Sequence, residues 1–327
     1  MRLHRARFAA IPALIAPLAL AGCGSADGAG GDGVSVLASF YPLQYVAQEV
    51  GGERVSVENL TPPAAEPHDL ELAPAQTRAI SQADVVVYLS GFQPAVDQGV
   101  EARAPELLVD AADVVTLEAQ PGSAGHADEP ADEHAGEHAE QGDDGHDHGS
   151  VDPHFWLDPT RLGAVAHAVA GKLSAADPDN AEEYAANARD LEDRMAALDT
   201  ELAEGLASCK GATLVTSHTA FGYLAERYGL EQVGIVELDP EAEPSPARLR
   251  EIGEVVRDHG VRTIYSETLV SPKVAQTLAA DLGVGTATLD PLEGLADDAP
   301  ANGSSEADYE SVMRANLAAL EEGLACS

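Results

Sequence analysis

Short, mostly apolar runs recur along this chain, separated by longer stretches with helical punctuation. In the first half they are Val34–Phe40, Val55–Leu60, Val85–Leu89 and Val114–Leu117. In the second half they are Thr213–Ser217, Val233–Leu238, Thr263–Ser266 and Thr286–Leu289. Runs of this length, rich in Val and other apolar residues, suit strands buried on both faces of a parallel sheet. Between them, Ser245-Pro246 and Ser271-Pro272 each place a capping hydroxyl before a first-turn proline, and Gly260 and Gly283 stand where those helices should stop. Strands alternating with helices, twice over, predict an α/β protein with two (β/α) lobes, each built on a parallel sheet.

One long helix is predicted between the lobes. Asp177-Pro178 supply a cap and a first turn, and Ala181 to Leu206 continue without proline and without glycine before Gly205. Leu191, Met195, Leu198, Leu202 and Leu206 recur every three or four residues and mark one buried stripe. About 28 residues at 1.5 Å each span roughly 40 Å, enough to cross two small domains. A helical link is stiffer than a pair of hinge loops, which argues against a large lobe closure. The expected boundaries are 34–176 for the N-terminal lobe, 177–208 for the linking helix and 209–327 for the C-terminal lobe.

The segment from 120 to 150 breaks the pattern. It is Gly, Ala, Asp, Glu and His with no apolar anchor, and reads as a disordered insertion. Five of the 11 histidines fall in it, His126, His134, His138, His146 and His148. They offer a weak secondary metal capacity, because ligands on an unfixed backbone carry an ordering cost. The bland alternative is a solvating loop without a specific role.

The N-terminus changes the picture by giving an address. Arg2, Arg5 and Arg7 precede an apolar run from Phe8 to Leu20 that ends in Leu20-Ala21-Gly22-Cys23. A positive region, a short apolar region and small residues before a cleavage point describe an export signal over residues 1–22. The run is too short to span a bilayer as a helix. A cysteine after Leu-Ala-Gly resembles the bacterial lipobox, which would make Cys23 the acylated first residue of the mature protein. Residues 23–33 then read as a flexible tether. The expectation is an extracytoplasmic protein anchored to the cell membrane by lipid, and a monomer. Of the 3 cysteines, Cys209 and Cys326 remain. An even pair in an exported chain invites a disulfide, worth roughly 4–5 kcal/mol in the loop-entropy model; two unpaired buried thiols are the alternative.

Charge excludes some partners. With 18 Lys+Arg against 56 Asp+Glu, the 327-residue chain carries a net charge of −38, which argues against nucleic acid and against a broad basic membrane-binding face. Hydrophobic residues at 45% allow a real core, and aromatics at 4% leave that core mostly Ala, Val and Leu.

The candidate chemistry is concentrated at four positions. His68, His154, His218 and Asp290 sit in Pro67-His68-Asp69, Asp152-Pro153-His154, Thr216-Ser217-His218 and Leu289-Asp290-Pro291, each at or near the end of an expected strand or before a helix. In open parallel sheets ligands bind beyond the carboxyl ends of strands, so two facing lobes would bring these residues together. Three imidazoles and a carboxylate are a borderline-soft N/O set that suits Zn²⁺. Glu66 stands in reserve for the carboxylate, and Glu267 is a candidate for orienting a ligand from behind. Asp158 reads as a helix cap, and His167 and His259 as bystanders.

These motifs, with Ser39-Phe40-Tyr41-Pro42-Leu43, the stretch Asp152 to Pro159, and Ser266-Glu267, resemble the metal-specific solute-binding lipoproteins of ABC importers, cluster A-I, and most closely their zinc-binding, ZnuA-like branch. The resemblance covers nearly the whole mature chain. It implies two lobes joined by a backbone helix, metal held between them by residues matching His68, His154, His218 and Asp290, delivery to an ABC permease, and a His-rich insertion as a feature of zinc importers. Manganese-type relatives tend to carry a carboxylate where His218 stands, so zinc is expected over manganese or iron. Two readings from other classes compete: a zinc hydrolase, although no His-Glu-x-x-His helix or Gly-x-Ser-x-Gly elbow stands out, and a surface adhesin.

Overall fold

The structure is a computed structural model that describes residues 33–119, 151–295, 308–324 and 326. Two four-stranded sheets share one topology. In the first, β1 (Val34–Ala38), β2 (Val55–Asn59), β3 (Val85–Tyr88) and β4 (Leu108–Asp110) lie in the order β2-β1-β3-β4. In the second, β5 (Thr213–Thr216), β6 (Glu231–Gly234), β7 (Thr263–Glu267) and β8 (Gly285–Leu289) lie in the order β6-β5-β7-β8. Every pairing between these strands is parallel. In each sheet the chain leaves the first strand on one side and returns on the other, a switch point that opens a crevice at the carboxyl ends.

Two strands lie elsewhere than expected. The fourth is Leu108–Asp110, ahead of the expected Val114–Leu117, because these residues register with Val86–Tyr88. Asp110 then ends the strand by accepting a hydrogen bond from Ala112 N at 3.0 Å, so Val114 falls beyond a single helical turn. The sixth strand is Glu231–Gly234 rather than Val233–Leu238; it is an edge strand, and its outer residues can be polar.

The helices are α1 (Tyr41–Gly51), α2 (Pro74–Ile80), α3 (Pro94–Arg103), α4 (Pro159–Ala176), α5 (Ala181–Gly205), α6 (Gly222–Tyr228), α7 (Pro246–Asp258), α8 (Lys273–Leu282) and α9 (Tyr309–Leu324). Ser245 caps α7 by accepting from Arg248 N at 3.1 Å. Ser271 does not cap α8, which starts later, after Pro272. Asp158 caps α4, taking the Thr160 N–H at 2.9 Å and its hydroxyl at 2.7 Å. Among the described residues, no helix is long and apolar enough to cross a membrane.

The long helix α5 buries Leu191, Met195, Leu198 and Leu202 against α4 and the cores of both lobes. Gly163 of α4 lets the two helices approach, since a Cβ there would sit 3.3 Å from Met195 Cβ. Arg194 pairs with Glu49 of α1 and, at 3.0 Å, with Glu310 of α9, so α5 ties the first lobe to the last helix. Cys209 and Cys326 form a disulfide that fastens the chain beyond α9 beside the start of β5. The inner faces of the two sheets share one apolar cluster, from Val36, Phe40 and Trp156 to Leu214, Phe221, Tyr265 and Leu292. Each sheet has a separate outer cluster under α2 and α3 or under α7 and α8. The lobes are therefore fused at their inner faces, and the site lies at the rim of that shared core.

Candidate metal centre

His68 rides on the loop after β2. Its backbone N–H donates to Glu66 Oε1 at 3.0 Å, and Gln93 holds the preceding carbonyl, Pro67 O, at 3.2 Å. The imidazole stands edge-on to Phe92, with ring centroids 4.7 Å apart.

His154 lies in the turn that leads into α4. Its N–H and its Nδ1 both donate to Asp152 Oδ1, at 2.9 and 2.7 Å. A carboxylate can only accept, so the proton belongs on Nδ1 and the lone pair of the neutral ring faces the site from Nε2. His218, two residues beyond β5, repeats the arrangement with Glu267, the last residue of β7. The His218 N–H donates to Glu267 Oε1 at 2.9 Å and Nδ1 pairs with Oε2. Both carboxylates are buried.

The fourth member is Glu293, on the loop after β8. Its Oε1 is 3.3 Å from His68 Nε2, 3.0 Å from His154 Nε2 and 3.2 Å from His218 Nε2. The four candidate ligand atoms lie within 4.8 Å of one another. In a tetrahedral zinc site with bonds of about 2.0–2.1 Å, neighbouring ligand atoms stand roughly 3.3 Å apart. The three carboxylate–imidazole separations already match that edge.

Asp290, expected as the fourth ligand, does another job. Its Oδ1 accepts from Leu292 N at 2.8 Å, and its backbone is clasped by Asn316 of α9, which accepts from Asp290 N at 2.9 Å and donates to Asp290 O at 2.7 Å. Leu292 adopts a left-handed φ of 59°. Trp156 Nε1 donates to Pro291 O at 2.8 Å, and Ala64 N donates to Leu295 O at 2.9 Å. The loop is thus turned after Asp290 and held from both lobes, so that Glu293 faces the imidazoles. The signal for this lay in Asp290-Pro291, a turn former, followed three residues on by an acid. Glu66 is occupied with the backbone of its own loop, its nearest oxygen 3.9 Å from His68 Nε2.

The electrostatics favour a cation. Asp152, Glu267 and Glu293 are all buried, and among the described residues their ion pairs are all to histidines. Burial alone would push the Glu293 carboxyl up, but hydrogen bonds from His154, His218 and His68 hold it well below the usual range. Burial pulls the His218 imidazole down, yet Glu267 and Glu293 outweigh it and push it up to about 10. His154 is raised in the same way by Asp152 and Glu293. Without metal, the site retains protons to offset its carboxylates; a divalent cation would displace them.

The bystanders are placed plainly. His167, on α4, pairs with Glu192 at 2.9 Å on the surface, and His259 hydrogen-bonds Thr213 Oγ1 at 2.7 Å at the opposite end of β5. Cys23, His126, His134, His138, His146 and His148 lie outside the described residues.

Comparison with known proteins is consistent with this geometry. The family described as zinc-uptake complex component A, periplasmic, matches residues 36–323. The zinc-binding lipoprotein AdcA of Streptococcus pneumoniae is 35% identical over 315 residues, covering 95% of this chain but 59% of its own length. The chain therefore spans little more than half of that relative. The high-affinity zinc uptake system protein ZnuA of Bacillus subtilis is 32% identical and is matched over 94% of both chains. Among solved structures, a Zn(II)-bound mutant variant of AdcAII of S. pneumoniae superposes with a TM-score of 0.73 at 32% identity, covering 90% of this chain and 99% of that one. The laminin-binding protein Lmb of Streptococcus agalactiae, described as bifunctional with adhesin and metal-transporting activity, gives 0.73 at 31%, covering 89% and 100%.

Proposed function

The chain belongs to the family of zinc-uptake complex component A, and we propose from that premise that it is an extracytoplasmic receptor that captures Zn²⁺ and hands it to the permease of an ABC importer. The metal is cargo. Its ligands are His68, His154, His218 and Glu293, and the observation that carries the reading is their convergence, three Nε2 atoms around one buried carboxylate oxygen. Three imidazoles and one carboxylate in tetrahedral array suit zinc; manganese prefers more oxygen ligands and octahedral geometry.

The chain's own groups do the work of capture. Asp152 and Glu267 fix the ring orientation and tautomer of His154 and His218, so two ligands stand ready before the cation arrives. Glu293 supplies the formal charge, and the shared core beneath excludes water from three of the four ligands. With four protein ligands, no coordination position is left for a reacting water, which favours transport over hydrolysis. Cys23 is the acylated anchor, the protein acts as a monomer at the outer face of the cell membrane, and the histidines of 120–150 add weak zinc capacity.

Metal analysis of the isolated protein, followed by competition in defined zinc and manganese buffers, tests the reading. One tight zinc equivalent, retained against excess manganese, is expected. A chain that takes up manganese or iron as tightly would shift the cargo, and laminin binding undiminished in a site-disrupted form would favour the adhesin reading suggested by the laminin-binding neighbours.

A further inference from the structure

The aim of His154 is set by Asp152, and Asp152 is in turn seated on the other lobe. Tyr223, in α6, donates its hydroxyl to Asp152 O at 2.7 Å, and the Tyr223 hydroxyl oxygen accepts from Glu118 N at 2.8 Å. Asp152 N donates to Glu118 O at 2.9 Å, and Ala119 bridges Val151. One phenolic oxygen therefore holds together two first-lobe segments. Gly222 completes the seat, because a Cβ at that position would lie 2.6 Å from Asp152 Oδ2. Arg161 of α4 lies over the Tyr223 ring, 4.7 Å from its centroid, and pairs with Glu118 at 2.9 Å, closing the arrangement from the first-lobe side. Tyr223 itself is buried.

We infer that Gly222 and Tyr223 are positioning residues for zinc binding: the C-terminal lobe holds Asp152, and through Asp152 it holds the N-terminal lobe's ligand His154. The inference rests on the zinc-receptor reading and deepens it. Any parting of the lobes at α6 removes the Tyr223 hydroxyl from both of its partners at once. Asp152 then keeps its backbone bond to Glu118, but its carboxylate is less firmly placed against His154, and one ligand of the four is less firmly aimed. Lobe contact and metal retention become one event, without a large hinge motion.

Tyr223→Phe in the full chain keeps the ring and its contact with Arg161 and removes only the hydroxyl. Zinc release into excess chelator should quicken by about 10–100-fold, the range typical of losing an outer partner of a metal-bound histidine. Tyr228→Phe is the control, since it deletes a hydroxyl bonded at 3.1 Å to Asp199, away from the site, and should release zinc as the wild type does. The route is read by coupling. Combined with Asp152→Asn, Tyr223→Phe should add little, whereas with Glu267→Gln the two accelerations should multiply. In the zinc-free protein the His154 ring N–H resonance should shift and that of His218 stay in place. Gly222→Ala, which crowds Asp152 from the side-chain direction, should reproduce the faster release if the Phe variant folds poorly. Wild-type release from both Tyr223→Phe and Gly222→Ala, or full multiplication with Asp152→Asn, would overturn the inference. If instead His218→Ala binds zinc as tightly as the wild type, the receptor site itself is wrong, a failure distinct from that of the seat.

Discussion

His154 and His218 are held in the same way, and His68 is held differently. Each of the first two has its backbone N–H and its Nδ1 on one buried acid, and each side chain is 0% exposed. The His68 side chain is 15% exposed, its backbone is tethered to Glu66 within its own loop, and among the described residues no carboxylate takes its second ring nitrogen. Two of the proposed ligands are thus built into the ends of strands and turns, while the third stands on a loop. Orientation fixed in advance lowers the ordering cost of binding. On the proposed zinc site, the contrast predicts different roles: the buried pair and Glu293 would set how tightly the cation is held, and His68 would close the shell from the solvent side.

The largest expected effect is on the buried pair. His218→Ala or His154→Ala should cost more than about 100-fold in zinc affinity, exceeding the 10–100-fold usual for losing an outer partner, while His68→Ala costs less because water can enter at that position. Competition titrations with a chelator of known affinity measure all three, and His167→Ala serves as the unchanged control. Equal losses at His68 and His218 would erase the distinction. Next comes the carboxylate. Glu293→Gln, which removes the charge and keeps the shape, should weaken zinc far more than Asp290→Asn, which preserves the acceptor for Leu292 N. The reverse order would restore Asp290 as the ligand. Behind the rings, Glu267→Gln should cost about 10–100-fold and leave four ligands in the metal spectrum of a cobalt-substituted protein.

The smallest effect sharpens the comparison through pH. In the zinc-free protein His218 is raised to about 10 and His154 is also raised. A raised imidazole stabilises the fold fully below the unfolded value of about 6.5 and loses that contribution as pH climbs through the folded value. Zinc must displace those protons, so its affinity grows with pH over the same window. The rise in melting temperature on adding zinc should therefore be larger at pH 8.5 than at pH 6, roughly in step with the protons released on binding. A zinc-induced shift independent of pH would mean that the imidazoles are already neutral without metal.

Much of this was legible in the sequence, for identifiable reasons. The strands β1, β3, β5 and β7 are central and largely buried, and β1 and β3 are written as Val-rich runs, whereas β5 and β7 mix Thr, Ser and Glu with their apolar residues. The edge strand β6 and the three-residue β4 are set by register with a neighbour, which local pattern does not encode. The histidines stood out because imidazoles in short motifs on the loops and turns beside strands and helix starts are a chemical signal as well as a positional one. Glu293 did not, because in a chain with 56 acids one more carboxylate carries no information until the fold of the loop is known. Asp290 attracted the ligand role by lying nearest the strand end, and the turn it forms is what carries the acid past it.

The single apolar cluster that runs through both inner sheet faces has a consequence for how a loaded receptor is distinguished from an empty one. A body whose halves share an interior has little outline to change. Arrival of a dication would instead replace protons at a place bordered by three buried carboxylates and tether the partly exposed loop that carries His68, residues 60–73. Under the proposed receptor function, a permease would then read local charge and local stiffness on a nearly constant silhouette, so scattering profiles with and without zinc should overlay while exchange of amide hydrogens in that loop slows.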